Sequence, residues 1–183
     1  LGLGGHAEAI LQSSPNVRLV GIDQDGAALA LAGERLDRFR GRIDLVNANF
    51  SELAAVLKGL GTEKIDGIIA DLGVSSLQLD SEERGFSFRF DAPLDMRMDA
   101  ASDGPAPAVL LADLSETEIA DIIYRYGEER FSRRIARRIV ERREGGKPVQ
   151  TTKELAELAA RSVKRNPKDK IHPATRTFQA LRI

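Results

Sequence analysis

The chain has no cysteine and only two histidines among its 183 residues. Without cysteine, neither a disulfide framework nor a thiolate metal site can form. The two histidines, His6 and His172, lie far apart in the sequence, which disfavours a structural zinc site. The sequence therefore predicts a protein without a bound metal.

Long apolar runs and a recognisable signal peptide are also missing. No stretch reaches the roughly 18 apolar residues that a membrane span requires, and no N-terminal targeting pattern is visible. We therefore expect a cytoplasmic protein without a membrane contact. The chain begins at Leu1 inside a glycine-rich turn and stops at Ile183 within an apolar run, so we expect a fragment that lacks its first strand.

Charge is unevenly distributed along the chain. The net charge of −1 argues against a general nucleic-acid binder. Residues 1–103, however, carry 10 Lys and Arg against 17 Asp and Glu, a net charge of −7, whereas residues 104–183 carry 17 against 11, a net charge of +6. This asymmetry indicates an acidic core joined to a basic accessory surface, although long helices with charged outer faces explain it equally well.

Short apolar runs alternate with helical patterns in the first 73 residues. Runs rich in β-branched residues predict three strands, at 17–23, 43–50 and 65–71. The helical patterns beside them cover 6–13, 27–39 and 52–60. This alternation is typical of βαβ units around a parallel sheet.

The pattern changes after residue 73. Residues 75–99 show no sustained period, and a loop of this length is usually functional or disordered. Its aromatic residues argue against disorder. The chain then becomes purely helical, with capping boxes at Ser115 and Glu118 and at Thr151 and Glu154 that each begin a helix.

These patterns predict an α/β chain with a helical insertion. Residues 1–104 are expected to form the core, residues 105–170 the inserted all-helical domain, and residues 171–183 the return into the core. The polar segment 166–170 has the composition of a linker.

A glycine turn and an acid form the first candidate site. Gly2 and Gly4 precede a predicted helix, and Asp23 ends the following strand. Glycines let a ligand approach the backbone at a helix N-terminus, and an acid about 20 residues later accepts hydrogen bonds from a ribose diol. The pattern loosely fits the dinucleotide fingerprint, but it also fits a turn without nucleoside binding. Asp25 is placed to cap the next helix.

Two further residues fall at predicted strand ends, where open α/β sheets bind ligands. Asp71 ends the third predicted strand. Phe50 ends the second, where its ring can stack on an adenine. Ordinary core packing is the more frequent role of such a phenylalanine.

Five motifs carry a more specific signal. They are Asp71–Asp80 (DLGVSSLQLD), Arg84–Phe88 (RGFSF), Pro93–Asp99 (PLDMRMD), Tyr126–Arg130 (YGEER) and His172–Ile183 (HPATRTFQALRI). Together they closely resemble the RsmH (MraW) family, bacterial enzymes that methylate N4 of a cytidine in small-subunit (16S) ribosomal RNA. The resemblance spans nearly the whole chain, and motifs this long and ordered rarely agree by chance.

The resemblance implies a Rossmann-like, S-adenosylmethionine-dependent methyltransferase with an inserted helical domain. It implies that small-subunit ribosomal RNA or the assembled subunit is the partner, and that S-adenosylhomocysteine is the product. Leu77 stands where many members have proline, but Gln78 keeps its place. The cofactor contacts that carry over to this sequence are Gly4, Gly5, His6, Asp23, Phe50, Asp71 and Gln78.

The implied chemistry needs a hydrogen-bond acceptor near the cytosine amine, because the nitrogen becomes positive as the methyl group arrives. Asp71 is the candidate catalytic residue, although it can serve the cofactor alone. Arg84, Arg97 and Arg176, together with Arg182, either contact RNA or brace the loop. The acids available for bracing are Asp80, Asp95 and Asp99.

An unstacked cytosine also needs a pocket. Phe86, Phe88 and Met96 are candidates, but for each of them packing of the loop onto the core is the more common role. Six arginines follow, opposite the apolar face of a predicted helix. They are Arg133, Arg134, Arg137, Arg138, Arg142 and Arg143. They form either a solvated face or, with an RNA substrate, a phosphate-binding surface.

Two other classes of function remain open. An NAD(P)-binding oxidoreductase accounts for the glycines and Asp23 but leaves the segment 71–99 unexplained. A non-catalytic RNA-binding assembly protein that keeps a methyltransferase fold is the other. Binding of S-adenosylmethionine or of NAD separates the first class from a methyltransferase, and the Asp23→Ala and Asp71→Ala variants in cells separate the second.

Overall fold

The structure is a computed structural model that describes residues 1–99, 104–163 and 171–182. The chain divides into two compact units, Leu1–Ser75 and Ser76–Ile183.

The first unit alternates helices and strands around a small parallel sheet. Its elements are α1 (Gly5–Ser13), β1 (Leu19–Asp23), α2 (Gly26–Arg35), β2 (Ile43–Asn47) and α3 (Leu53–Gly59). The two strands pair in parallel, with Leu19 opposite Ile43 and Asp23 opposite Asn47. The predicted α/β class with a parallel sheet is therefore confirmed.

Two helices of the first unit share one apolar core. Ala7 and Leu11 of α1 and Ala32 of α2 are buried together with Leu36, which follows α2. Their spacings of four residues place each pair on one helix face. The apolar residues around this core include Leu1, Val17, Leu19, Phe39 and Ile43. Packing on this core fixes the position of α1 beside α2.

The third predicted strand, at 65–71, is not present in the first unit, all of which is described. The strands β1 and β2 pair with each other, and this run pairs with neither. Ile65, Ile68 and Ile69 are consequently exposed, at 44%, 64% and 69%. The run is apolar, as a buried strand would be, but a strand also needs a neighbouring strand for its backbone hydrogen bonds.

Two predicted boundaries also shift in the first unit. The helix predicted for 27–39 ends at Arg35 and continues as a 3₁₀ turn, Asp37–Phe39. The strand predicted to reach Phe50 ends at Asn47, and Phe50 begins a second 3₁₀ turn, Phe50–Glu52.

The second unit is mainly helical in its described residues. It contains α4 (Ser76–Asp80), a 3₁₀ turn (Glu82–Arg84), α5 (Pro107–Asp113), α6 (Glu116–Gly127), α7 (Ser132–Glu144), α8 (Thr152–Ser162) and α9 (Thr175–Leu181). Both predicted capping boxes are confirmed. Ser115 accepts from the backbone of Glu118 at the start of α6, and Thr151 accepts from that of Glu154 at the start of α8.

The long segment predicted as a loop contains α4 and the 3₁₀ turn and then packs into the second unit. Thr152 donates its hydroxyl to the Phe90 carbonyl at 2.6 Å and accepts from the Ala92 backbone at 3.1 Å. Phe86 and Met96 are buried, at 0% and 3% exposed. The packing interpretation of these two side chains is confirmed.

The predicted three-part organisation, with boundaries at 104 and 170, stays a prediction. The compact units instead divide at Ser75. The linker segment 166–170, part of the predicted helical domain, and Ile183 lie outside the described residues. None of the helices in the described ranges is both long and apolar enough to cross a membrane.

Candidate functional site

The glycine turn adopts backbone conformations that only glycine accepts easily. Gly2 and Gly4 have φ values of 56° and 78°, in the left-handed region. A Cβ on Gly4 would lie 3.0 Å from the Leu36 Cδ1 atom. Gly4 therefore allows the turn to fit closely against the core just before α1 begins.

Charged contacts fix α1 on α2 behind this turn. Arg35 donates to Glu8 at 2.7 Å, and Arg38 donates to the other carboxylate oxygen at 2.8 Å. The hydrogen bond from Arg35, supported by the charge of Arg38, holds the pKa of Glu8 below its usual range. These contacts therefore hold α1, which begins directly after Gly4, against α2 and the turn that follows it.

Asp23 joins the glycine turn to the end of β1. Its Oδ2 accepts a hydrogen bond from the Gly2 backbone nitrogen at 2.8 Å, and its Oδ1 accepts one from the Asp25 nitrogen at 2.9 Å. The side chain is 19% exposed. Because a carboxylate has about four acceptor positions, these two bonds orient Asp23 and leave it able to accept from a ligand.

Asp25 has the capping role that its position indicated. It is 3% exposed, and its side chain accepts from the backbone nitrogens of Ala27 at 3.1 Å and Ala28 at 3.4 Å at the start of α2. Asp23 and Asp25 therefore have different roles although they are two residues apart.

Asp71 lies at the other side of the glycine turn. Its Oδ2 is 3.5 Å from the Nδ1 atom of His6, which is in the first turn of α1. Both side chains are largely exposed, at 76% for Asp71 and 73% for His6. The structure therefore brings His6, Asp23 and Asp71 together around one glycine turn, although Asp71 does not end a strand.

Phe50 is 64% exposed in the turn after β2. Core packing, the role that its residue type alone favoured, is therefore wrong for this phenylalanine. With its ring exposed, Phe50 is free to contact a planar ligand from the end of the neighbouring strand.

Polar contacts between the ends of β1 and β2 were missed from the sequence. Asn49 donates to the Gln24 side chain at 2.9 Å, and Asn47 donates to the Asp23 carbonyl at 3.1 Å. Asn49 also accepts from the backbone of Ser51 and so caps the turn that carries Phe50. The available signal was the polar residues near the strand ends, Gln24 after β1 and Asn47 and Asn49 at the end of β2.

The remaining predicted cofactor and RNA contacts lie in the second unit. Gln78 is buried in α4, at 4% exposed. Arg84 donates to the carbonyls of Arg97 at 3.1 Å and Met98 at 2.8 Å. Arg176 is exposed on α9. The roles of Gln78, Arg84, Arg97 and Arg176 toward cofactor and substrate stay predictions.

Two of the candidate arginines are braced inside the second unit. Arg97 forms a two-pronged pair with Asp95, with both nitrogen to oxygen distances at 2.8 Å. That hydrogen bonding, together with the positive charge, lowers the pKa of the Asp95 carboxyl. Arg182 donates to the Phe86 carbonyl, and burial lowers the pKa of its guanidinium. Bracing of the loop through an acid, one of the two alternatives, is confirmed for Arg97, whereas Arg182 braces the loop through a backbone carbonyl.

No group of three or more His, Asp or Glu is arranged to hold a metal ion in the described residues. A cleft of about 500 Å³ in the second unit is lined by residues of α7 and α8. A smaller cleft of about 190 Å³ in the first unit is lined by Arg18 and Arg40–Asp44. Beside the glycine turn His6 and Asp71 are exposed, and Phe50 is exposed in the turn after β2.

The first unit is an α/β unit whose strand-end carboxylate holds a glycine turn, and the chain belongs to the MraW methylase family, whose model matches residues 1–183. The ribosomal RNA small subunit methyltransferase H of Pseudarthrobacter chlorophenolicus is 55% identical over 184 residues, and that of Gloeobacter violaceus is 54% identical. Both alignments cover 100% of this chain, which spans about half the relatives' length, at 55% and 54%.

Proposed function

We propose that the chain binds S-adenosylmethionine at the glycine turn. The full-length protein would transfer its methyl group to N4 of a cytidine in small-subunit (16S) ribosomal RNA. The observation that carries this proposal is the convergence of Asp23 and Asp71 on one glycine turn in a member of the MraW methylase family. The relatives' name, ribosomal RNA small subunit methyltransferase H, supports the substrate.

The residues around the turn fit the cofactor. Gly4 and Gly5 let a ligand approach the backbone at the start of α1. Asp23 is fixed by two backbone donors and presents the acceptor that a ribose diol needs. The exposed ring of Phe50 suits stacking against an adenine.

The cofactor supplies an electrophilic methyl group on a sulfonium. The chain's main task is then to position groups for an in-line displacement. Asp71 is exposed beside His6, where its carboxylate can accept a hydrogen bond from the cytosine amine while positive charge develops on the nitrogen.

The proposal includes the architecture of the whole protein. The first unit is the start of a Rossmann-like core, and the helices within 105–170 form a domain inserted into it. The segment 171–183 leads back to the core. Membership of a methylase family disfavours the oxidoreductase that the glycines alone left open.

The test of catalysis is methyl transfer by full-length protein containing this chain. Asp71→Ala should lower transfer of labelled methyl from S-adenosylmethionine to small-subunit RNA by about 100-fold, the scale of a positioned acceptor. Asp66→Ala is the matched control because Asp66 is an exposed acid five residues earlier, and it should transfer normally.

Undiminished transfer by Asp71→Ala removes Asp71 from the mechanism. If neither variant nor the unaltered protein transfers methyl groups, the proposed activity is contradicted. In that case, normal function of the Asp23→Ala and Asp71→Ala variants in cells would identify a non-catalytic assembly protein.

A further inference from the structure

Five arginines lie together at the beginning of α7. They are Arg130, Arg133, Arg134, Arg137 and Arg138, here named the arginine face. The first four are exposed, and Arg138 is half-buried. No acidic residue occurs between Arg130 and Val140 in the sequence, so positive charge accumulates over these turns.

The last two arginines of the helix have structural partners instead. Arg142 pairs with Glu154 and donates to the Lys147 carbonyl at 2.9 Å. Arg143 donates to three carbonyls at the end of α5. They belong to Leu111 at 3.2 Å, Ala112 at 2.8 Å and Leu114 at 2.7 Å. In the six-arginine run, Arg142 and Arg143 therefore brace neighbouring segments, whereas three of the four arginines before them are exposed.

Little negative charge compensates the arginine face. Within residues 1–99, 104–163 and 171–182, its one ion pair joins Arg137 to Glu116, at 3.6 Å. Glu129 is buried, and its carboxylate accepts from the Phe131 backbone at 2.8 Å. Glu128 is exposed just before Glu129. Together with Glu141, which is exposed one turn after Arg137, these acids leave the five arginines with a small excess of positive charge.

Two members of the arginine face stack on one aromatic ring. The guanidinium groups of Arg130 and Arg134 lie over the ring of Phe131, at 5.2 Å and 5.8 Å from its centre. Such stacking holds an arginine while its N–H donors stay available. Pairs four residues apart, such as Arg134 and Arg138, are separated by about 6 Å along the helix axis, which suits contacts with neighbouring phosphates.

The face continues into the cleft between α7 and α8. Arg138 lines that cleft of about 500 Å³ together with Glu141, Arg142, Leu158 and Arg161. Arg142 and Arg161 are paired with Glu154 and Glu157 in this region. The cleft therefore contributes a concave surface but no net charge. Among the described residues, the guanidinium of Arg138 has no ion-pair partner.

We propose that the arginine face binds backbone phosphates of the RNA substrate. The inference rests on the proposed function and deepens it by assigning an RNA contact to α7. Arginine is enriched in protein interfaces as well, but their centres are apolar, whereas this face presents arginines around one covered ring. Arginine also binds phosphate through paired, directional N–H donors. The chemistry therefore favours a polyanion over a protein partner.

The test measures RNA binding by the 183-residue chain with a labelled, mixed-sequence single-stranded RNA of about 20 nucleotides. The double variant Arg134→Gln and Arg138→Gln should bind about tenfold more weakly near 0.1 M salt, and the salt slope should fall by about 1.4, since each single-strand phosphate contact contributes about 0.7. The matched control is Arg18→Gln with Arg40→Gln. It removes the same charge from exposed positions of the first unit and should bind within about twofold of the unaltered chain.

Each other outcome overturns a stated part. Equal weakening in both double variants shows a general charge effect and overturns the arginine face. Unchanged RNA binding by the α7 variant overturns it too, and so does a lack of RNA binding by the unaltered chain. Either result indicates a protein as the partner of the arginine face. Calorimetry with S-adenosylmethionine separates the two proposals. If the unaltered chain binds the cofactor but the RNA test fails, the proposed function still stands. If the unaltered chain does not bind the cofactor, that result contradicts the proposed function alone.

Discussion

The ion pair between Asp95 and Arg97 makes the stability of the second unit depend on pH in the acid range. Both arginine contacts to the carboxylate are at 2.8 Å, and they lower the pKa of Asp95. A carboxyl whose folded pKa is lowered contributes stability above its unfolded pKa of about 3.9. That contribution is lost as the pH falls through the folded pKa.

Arg97→Gln should therefore raise the pKa of Asp95 toward its ordinary value, as measured by NMR titration of the carboxyl. The variant should also lose less stability between neutral and acid pH than the unaltered chain does. Arg89→Gln is the control, because Arg89 faces Asp80 at 3.6 Å with both side chains mostly exposed. An unchanged Asp95 pKa in Arg97→Gln contradicts the assignment.

Several residue roles at the glycine turn could be predicted from the sequence because they depend on short-range geometry. Strand ends and helix starts follow from local patterns, so Asp23 and the cap Asp25 were placed correctly. Phe50 was not, since its exposure depends on where β2 stops, three residues before it. The partners of Arg97 and Arg182 come from folding of the loop, which shows no periodic pattern.

At the scale of elements, Gly127 controls the contact between α6 and α9. A Cβ at this position would lie 2.3 Å from the Arg176 carbonyl oxygen and 3.0 Å from the Ala180 Cβ. Backbone atoms cannot move away cheaply, so the helices would have to separate. The glycine in the YGEER motif thus has a packing reason.

Gly127→Ala should lower the free energy of unfolding by about 1–3 kcal/mol, the range for overpacking, in urea denaturation. Gly59→Ala is the matched control because Gly59 ends α3 and a Cβ there meets nothing within 4 Å. It should be neutral or slightly stabilising, by up to about 1 kcal/mol. Equal stability of the two variants contradicts the close packing of α6 on α9.

Helices α6, α7 and α8 of the second unit and the first two strands were predictable because their apolar residues recur with a clear period. The run 65–71 had the same apolar signal but has no strand partner in the structure. Apolar pattern specifies a tendency to be extended, whereas a strand requires a second chain segment beside it. This is why one of three strands was predicted wrongly.

On the scale of the whole molecule, the acidic and the basic halves of the chain contain different candidate sites. The acidic half contains the glycine turn with Asp23 and Asp71, and the basic half contains the arginine face on α7. Even a net charge near zero is compatible with RNA binding when arginines are concentrated on one helix. The family resemblance extends over the whole chain and could be recognised from five motifs, whereas the division at Ser75 had no local signal.

The central claim is that the glycine turn and Asp23 bind S-adenosylmethionine, and calorimetric titration of the 183-residue chain tests it most directly. The unaltered chain should bind S-adenosylmethionine and not NAD. Asp23→Asn should weaken binding by about tenfold or more, the value of a hydrogen bond to a charged acceptor. Asp44→Asn, an exposed acid on the neighbouring strand, should bind normally. Binding of NAD in place of S-adenosylmethionine, or equal affinity in Asp23→Asn and Asp44→Asn, would contradict the account.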